Sequence, residues 1–318
     1  MLKLIFMGTP DFSVPCFKHL LTCPDMEILA VITQPDKPVG RGKKLTPSPI
    51  KSVALEAGIP VFTPTRLRTD EAVIQTLEAL APDYIVTIAF GQILPLKVLN
   101  IPRGGTVNVH ASLLPYYRGA NPIQWAVLNG ESETGLTTML SDEGVDTGDM
   151  LLKERIAIHA DDNTGQVAEK LALLAGDLLV KTLHGLETQS IHPEKQDDSL
   201  ATHAPKLSKE EAILDWSLTA LELKQRILGL TPFPAAKIVW NEVPIKLGRV
   251  SLKSQSDFSG EVGHYGQVLK VAKSGIWVQT RQDILCVETL QPAGKSMMNA
   301  SDWGRNALDS LSSQAVIL

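Results

Sequence analysis

Three observations predict an α/β chain of two domains. Strand-like and helix-like stretches alternate over residues 2–186, residues 190–207 are polar and aperiodic, and short strands separated by turns fill the last third. The first domain is expected to be a doubly wound, mainly parallel sheet, the second a small β-barrel. A length of 318 residues suits that division.

Residues 2–7 are an apolar run that stops at Gly8, Thr9 and Pro10, and residues 12–21 have helical spacing with Asp11 as N-cap. Residues 27–33 give a second strand. Ser48 then caps a helix over 48–57, with Pro49 at the first position, where a missing N–H removes no helical bond. A strand at 61–62, a helix at 69–80 and strands at 84–89 and 106–110 follow. A short helix at 122–128, strands at 135–140 and 151–158, and a long helix at 164–186 complete a Rossmann-like domain spanning residues 1–189. Residues 190–207, with His192-Pro193 and His203 to Pro205, read as a linker. Within 208–318, a helix at 217–228 is stopped by 231–234, and strands at 236–240, 245–252, 266–271, 275–280 and 284–290 suggest an OB-like barrel, with a sandwich as the alternative.

An apolar fraction of 44% and a charged fraction of 20% permit a full core. No apolar run approaches the ~20 residues that span a bilayer, and the first residues form a strand rather than a signal peptide, so a cytoplasmic protein without membrane contact is expected. Cys16, Cys23 and Cys286 are too scattered for disulfides or zinc, and no metal is expected. The net charge of -5 argues against indiscriminate nucleic-acid binding, but it is unevenly spread. Residues 1–207 carry 18 basic and 24 acidic side chains, and residues 208–318 carry 12 and 11. Inside the acidic part, residues 34–51 hold Lys37, Arg41, Lys43, Lys44 and Lys51 against the single acid Asp36. A merely solvated loop needs no such bias.

A doubly wound sheet invites a nucleotide. The dinucleotide fingerprint needs three glycines after the first strand, and only Gly8 is there. The phosphate-loop pattern also fails, because Lys37 stands where Gly42-Lys43 would require a glycine. A different ligand is therefore expected at the carboxyl ends of the central strands, where residues 84–89 deliver Phe90, Gly91, Gln92, Ile93 and Leu94.

The strand 106–110 delivers Asn108 and His110 to one face, opposite Val107 and Val109. An amide and an imidazole so placed suit one small electrophile, the first donating to a developing oxyanion and the second moving a proton. A satisfied core histidine is the other reading. Ser112, Leu113, Leu114 and Pro115 then leave the strand as a loop with free backbone groups and an apolar lining, able to hold a flat ligand. Residues 141–149 carry four carboxylates, and their spacing excludes a calcium loop. Asp146, between Gly144 and Gly148, is the acid expected to reach back to His110, since glycines permit a close backbone approach. A solvated connection is the alternative.

Gly8-Thr9-Pro10-Asp11-Phe12, Gln34-Pro35-Asp36, Gly40-Arg41-Gly42-Lys43-Lys44 and Pro47-Ser48-Pro49 add to these motifs, as do Tyr117-Arg118-Gly119, Asp215-Trp216, Pro232-Phe233-Pro234-Ala235 and Gln291-Pro292. Taken together, the chain resembles the methionyl-tRNA formyltransferase family from end to end. The resemblance implies transfer of a formyl group from 10-formyltetrahydrofolate, as donor substrate, to the amino group of methionyl initiator tRNA. It implies Asn108, His110 and Asp146 as catalytic residues, Ser112, Leu113, Leu114 and Pro115 as a folate-binding motif, and Phe90 to Leu94 along the pterin slot. Arg41, Lys37, Lys43, Lys44 and Lys51 would meet tRNA, assisted by the β domain, in a monomer. Tyr116 and Phe233 depart from the family pattern without touching that chemistry. A formyltetrahydrofolate hydrolase or small-amine formyltransferase on the same scaffold is the first alternative, and a non-catalytic folate- or RNA-binding module the second. For Trp216, Trp240, Trp277 and Trp303, packing in the barrel core or against the linker is expected ahead of base stacking.

Overall fold

A computed structural model describes residues 1–40, 42–208, 210–240, 243–260 and 263–308. The chain begins β1 (Leu2–Gly8), α1 (Val14–Thr22), β2 (Met26–Ile32), β3 (Lys37–Val39), β4 (Lys44–Thr46), α2 (Pro49–Glu56) and β5 (Val61–Phe62). It continues through α3 (Glu71–Leu80), β6 (Tyr84–Ile88), α4 (Leu96–Leu99), β7 (Thr106–His110), α5 (Pro122–Leu128), β8 (Glu133–Leu140), β9 (Met150–Ala157) and α6 (Thr164–Glu187). Two compact units result, one of Met1–Pro122, Glu133–Ala157 and Val167–Pro205, the other of Ile123–Ser132, Ile158–Gln166 and the chain from Lys206.

The first unit is built on a seven-stranded sheet in the order β5-β2-β1-β6-β7-β8-β9. Neighbours from β5 to β7 pair parallel, while β8 and β9 pair antiparallel. The chain winds outward from β1 to β5 and returns at β6 to wind the other way, so the switch point lies between β1 and β6. Both strands are apolar through their middles because both sheet faces are covered there: Leu4, Ile5, Phe6, Met7, Ile85 and Val86 are fully buried. Ring contact between Phe6 and Phe17, with centroids 4.9 Å apart, seats α1 on the sheet. Gly8 closes the strand without a side chain because a Cβ there would meet the Phe6 ring at 2.8 Å and the Ile88 carbonyl at 3.1 Å.

Several boundaries differ from expectation. Asp11 caps no helix: Asp11–Ser13 is a 3-10 turn, and α1 starts at Val14 without a side-chain cap, Pro15 having already removed one orphan N–H. Ser48 caps α2 as expected, its hydroxyl accepting from the Lys51 N–H at 3.1 Å, a bond of a kind that stabilises by about 1 kcal/mol. The basic stretch is an antiparallel ribbon rather than a loop, with Lys37 opposite Thr46. Residues 190–205 are no free linker. Glu194 and Met150 exchange two backbone bonds of 2.8 Å, the Arg118 N–H donates to the Thr202 carbonyl at 2.9 Å, and the Ala204 N–H donates to the Arg118 carbonyl at 2.7 Å. Polar composition hid this strap, since its bonds are made by backbone.

In the second unit, α7 (Ala220–Leu230) precedes β10 (Lys237–Trp240), β11 (Val243–Leu247), β12 (Val250–Lys253), β13 (Val268–Ala272), β14 (Gly275–Gln279), β15 (Ile284–Val287), β16 (Thr289–Gln291), β17 (Met298–Asn299) and α8 (Ala300–Leu308). They form two four-stranded antiparallel sheets, β10-β11-β16-β17 and β12-β15-β14-β13. Two of the expected strands are each divided between the sheets, 245–252 at Gly248 and Arg249 and 284–290 at Glu288. These corners bond to each other, Gly248 N–H to the Thr289 carbonyl and Glu288 N–H to the Arg249 carbonyl, both at 2.9 Å. The core between the sheets takes Leu223 and Ile227 from α7, Ile238, Ile245 and Leu290 from one sheet, and Ile276, Val278 and Leu285 from the other. Trp216 and Trp240 are buried in that core and Trp303 packs against it, which is the packing role expected of them. Among the described residues no helix is long and apolar enough to cross a membrane.

Arg103 clamps the end of α6 to the sheet, its Nε donating to Asp83 at 2.6 Å and its Nη2 to Glu187 at 2.9 Å, while the Tyr84 hydroxyl donates to Glu187 at 2.8 Å. The Arg103 hydrogen bond holds the Glu187 carboxyl below its usual range, against partial burial, and Tyr84 acts in the same sense. A depressed carboxylate contributes stability that is present above its unfolded value near ~4.3 and is lost as pH falls through the folded one. Glu187→Gln is therefore expected to melt below the parent at pH 7, with the gap closing below about pH 4 in thermal unfolding.

Candidate active site

Asn108 and His110 share one face of β7, and the parallel ladder sets Thr87 of β6 directly beside Asn108. The Thr87 hydroxyl donates to Asn108 Oδ1 at 2.8 Å. This fixes the amide, so both Nδ2 hydrogens point away from Thr87 and find no partner among the described residues. Asn108 is half-buried, so that donor remains accessible. Sequence reading missed Thr87; its only signal was its place on the strand 84–89.

His110 is buried, and both its ring nitrogens face acceptors: Nε2 lies 2.9 Å from the Tyr117 carbonyl and Nδ1 lies 3.5 Å from Asp146 Oδ1. A neutral ring satisfies one acceptor; an imidazolium donates to both. Asp146 also receives the Gly119 N–H on Oδ2 at 2.8 Å. The expected reach of Asp146 to His110 is thus present in the structure. Nε2 is turned to the Tyr117 carbonyl in this arrangement. Ala89, Tyr117 and Asp146 have φ of 48°, 60° and 55°. Left-handed backbone is unfavourable for residues other than glycine, and here it occurs in the three loops that surround the site.

The turn after β7 is not the open loop that was expected. Several of its backbone groups are paired: Leu114 N–H donates to Thr137 Oγ1 at 3.1 Å, Thr137 Oγ1 donates to the Ser112 carbonyl at 2.7 Å, and Ser112 Oγ donates to the Tyr116 carbonyl at 2.6 Å. Ser112, Leu114 and Pro115 are buried, and Leu114 packs on Met139 and Met150, so only Leu113 is partly open. Phe90 likewise lies in the core with Ile5, Ile32 and Ile85. The loops after β1, β2 and β6 are bonded to one another at the switch point: the Thr9 hydroxyl donates to the Phe90 carbonyl at 3.0 Å, and Gln34 Nε2 donates to the carbonyls of Phe90 and Gly91 at 3.1 and 3.2 Å. Gln92 is spent on the Leu67 N–H and the Pro64 carbonyl, Leu94 packs against the core, and Ile93 is exposed.

A cavity of about 700 Å³ opens instead between residues 96–106 and 140–144, lined by Leu96, Leu99, Arg103, Thr106, Leu140 and Asp142 among others. That volume is in the range of small-molecule sites. It borders the strand that carries Asn108 and the loop that carries Asp146. Exposed Ile93 and Val145 adjoin its two lining segments in sequence.

The basic residues divide by their partners. Lys51 is paired with Asp36 at 2.7 Å, and Lys37 donates to Gln34 Oε1 at 2.5 Å. Both hold the ribbon in place. Lys43 and Lys44 are exposed at its turn, while Arg41 lies outside the described residues.

Residues 2–183 match the formyl transferase family model, and residues 206–308 match the C-terminal domain of formyl transferases. A methionyl-tRNA formyltransferase from Clostridium perfringens (strain 13 / Type A) is 45% identical over 290 residues, covering 91% of this chain and 92% of that one. The chain belongs to the methionyl-tRNA formyltransferase family. Solved structures extend the likeness in fold: an N-formyltransferase from Helicobacter canadensis, bound to folinic acid and dTDP-3-aminofucose, superposes with a TM-score of 0.66 at 18% identity, over 92% of this chain and 100% of that one. HypX from Aquifex aeolicus, in complex with tetrahydrofolic acid, gives 0.63 at 15% identity, over 97% of this chain but 48% of that one. Asn108, His110 and Asp146 therefore sit on a formyl transferase scaffold.

Proposed function

We propose that the protein transfers the formyl group of 10-formyltetrahydrofolate to the free amino group of methionine on initiator methionyl-tRNA. The observation that carries this reading is the uncommitted Asn108 amide, held by Thr87 beside a His110 ring set between two acceptors. The amine attacks the formyl carbon, the new C–N bond forms, and negative charge gathers on the formyl oxygen. Asn108 Nδ2 donates to that oxygen, a contribution of about 3 to 4 kcal/mol for one such donor. His110 stands beside this donor on the same strand face, and Asp146 keeps the ring oriented. The amine loses its proton and the folate nitrogen leaves with one. The pterin end occupies the cavity between residues 96–106 and 140–144, with Phe90 to Leu94 leading into it in sequence. The protein acts in the cytoplasm as a monomer.

Lys43 and Lys44 meet tRNA phosphates, and Arg41, two positions before Lys43 in sequence, is assigned the same partner. In the second unit Lys270 lies 3.6 Å and Lys253 5.9 Å from the Trp277 ring centroid, so two cations gather on one sheet face of a domain that is nearly neutral overall. Incubation with 10-formyltetrahydrofolate and charged initiator tRNA is expected to yield a formyl amide on the methionine; free formate without that amide would favour the hydrolase reading. Lys43→Ala and Lys44→Ala are each expected to raise KM for tRNA and to flatten the plot of log kcat/KM against log salt by about one unit, leaving kcat unchanged. An unaltered salt slope in the double variant would remove the ribbon from tRNA binding.

A further inference from the structure

We propose that Gln196 is a positioning residue for formyl transfer, acting through Asp146; the proposal rests on the catalytic role given to Asp146 above. A glutamine amide has two donor hydrogens and two acceptor lone pairs. Gln196 commits all four to protein. Its Nε2 donates to the carbonyls of Asp146 at 2.8 Å and Gly148 at 2.7 Å, while its Oε1 accepts from Arg118 Nε at 3.0 Å and Nη2 at 2.8 Å. Arg118 is buried and precedes Gly119, whose N–H holds the Asp146 carboxylate. Gln196 thus closes a ring in which the backbone of Asp146 and its side chain are tied to neighbouring residues of one turn.

That tie has a reason. Asp146 has a φ of 55°, a conformation unfavourable outside glycine, in a loop whose residues 142–145 are exposed. Two hydrogen bonds from one side chain, spanning residues 146 and 148, keep the loop from relaxing to a commoner conformation. Gln196 belongs to the strap 190–205, which also bonds the turn after β7 through Thr202, whose hydroxyl accepts from the Tyr117 N–H at 2.8 Å. One segment therefore holds both loops that meet at His110.

Two variants separate the halves of this amide. Gln196→Glu keeps an acceptor for Arg118 but turns carboxylate oxygen toward the two loop carbonyls, and Gln196→Met removes both halves without adding charge. Both are expected to lower kcat by ~10²-fold, the scale of a ~1 Å misplacement, with KM for either substrate little changed and Gln196→Glu melting close to the parent. In an Asp146→Asn background, Gln196→Glu should cost less than about threefold more, because residues acting through one group are not additive. Parent-like kcat in both variants alongside a deficient Asp146→Asn would overturn the role of Gln196 alone, as would a full additive loss in that background. A parent-like rate in Asp146→Asn would overturn the catalytic reading itself.

Discussion

Asn108→Ala is expected to lower kcat for formyl transfer by ~10²- to 10³-fold, the loss seen when a single oxyanion donor is removed. KM and thermal midpoint should stay near those of the parent. Asn108 is only half-buried, so truncation leaves no large cavity, and among the described residues its side chain has one bond, accepted from Thr87. Asn108→Asp sharpens the test, since it retains an acceptor for Thr87 and replaces the donor with negative charge. It should be at least as inactive as the alanine variant. Thr87→Val should cost only five- to tenfold, because it removes a neutral hydrogen bond of about 1 kcal/mol that orients the amide and leaves the amide itself. Single-turnover rates would read all three variants. Equal losses in Thr87→Val and Asn108→Ala would mean that Thr87 touches the reaction directly.

The α/β sheet was legible because its strands are apolar runs and its helices are periodic, and both signals are local. Asn108 and His110 were legible for the same reason, since a period of two puts them on one face. Partners brought by tertiary approach were less visible. The neighbour of Asn108 comes from β6, 21 positions earlier, and the tie on Asp146 comes from a polar strap that has no periodicity to mark it. Charge was misleading in detail: five cations in residues 34–51 read as one patch, yet Lys37 and Lys51 are held by Gln34 and Asp36 within the protein. The turn 112–115 was misread as open because sequence shows a loop's polar backbone but not the side chains that satisfy it, here Thr137 from β8.

Gly148→Ala is expected to remove most activity, a kcat loss of at least ~10²-fold, while the sheet stays folded. A Cβ at Gly148 would fall inside the van der Waals shell of the Leu140 carbonyl oxygen and 2.8 Å from its carbon, both backbone atoms of β8 that no rotamer can move. The approach is enforced from either side, by Leu140 N–H donating to the Asp149 carbonyl at 2.9 Å and by Ser141 N–H donating to the Thr106 carbonyl at 2.8 Å. The loop would have to lift, and Asp146, two residues away, would lift with it from His110 and Gly119. Gly144 stands equally far from Asp146 on the other side, but its added Cβ would press on the Thr147 hydroxyl, a side-chain atom in an exposed loop. Turning Thr147 aside forfeits its 2.7 Å bond to Asp142 and nothing in β8, so Gly144→Ala should lose only a few-fold. In sequence the two glycines looked equivalent, each permitting a close backbone approach; in the structure the one at 148 meets backbone of β8 and the one at 144 meets a side chain. Comparable rates in the two variants, measured on samples with parent-like circular dichroism, would show that the seat of this loop on β8 does not set the position of Asp146.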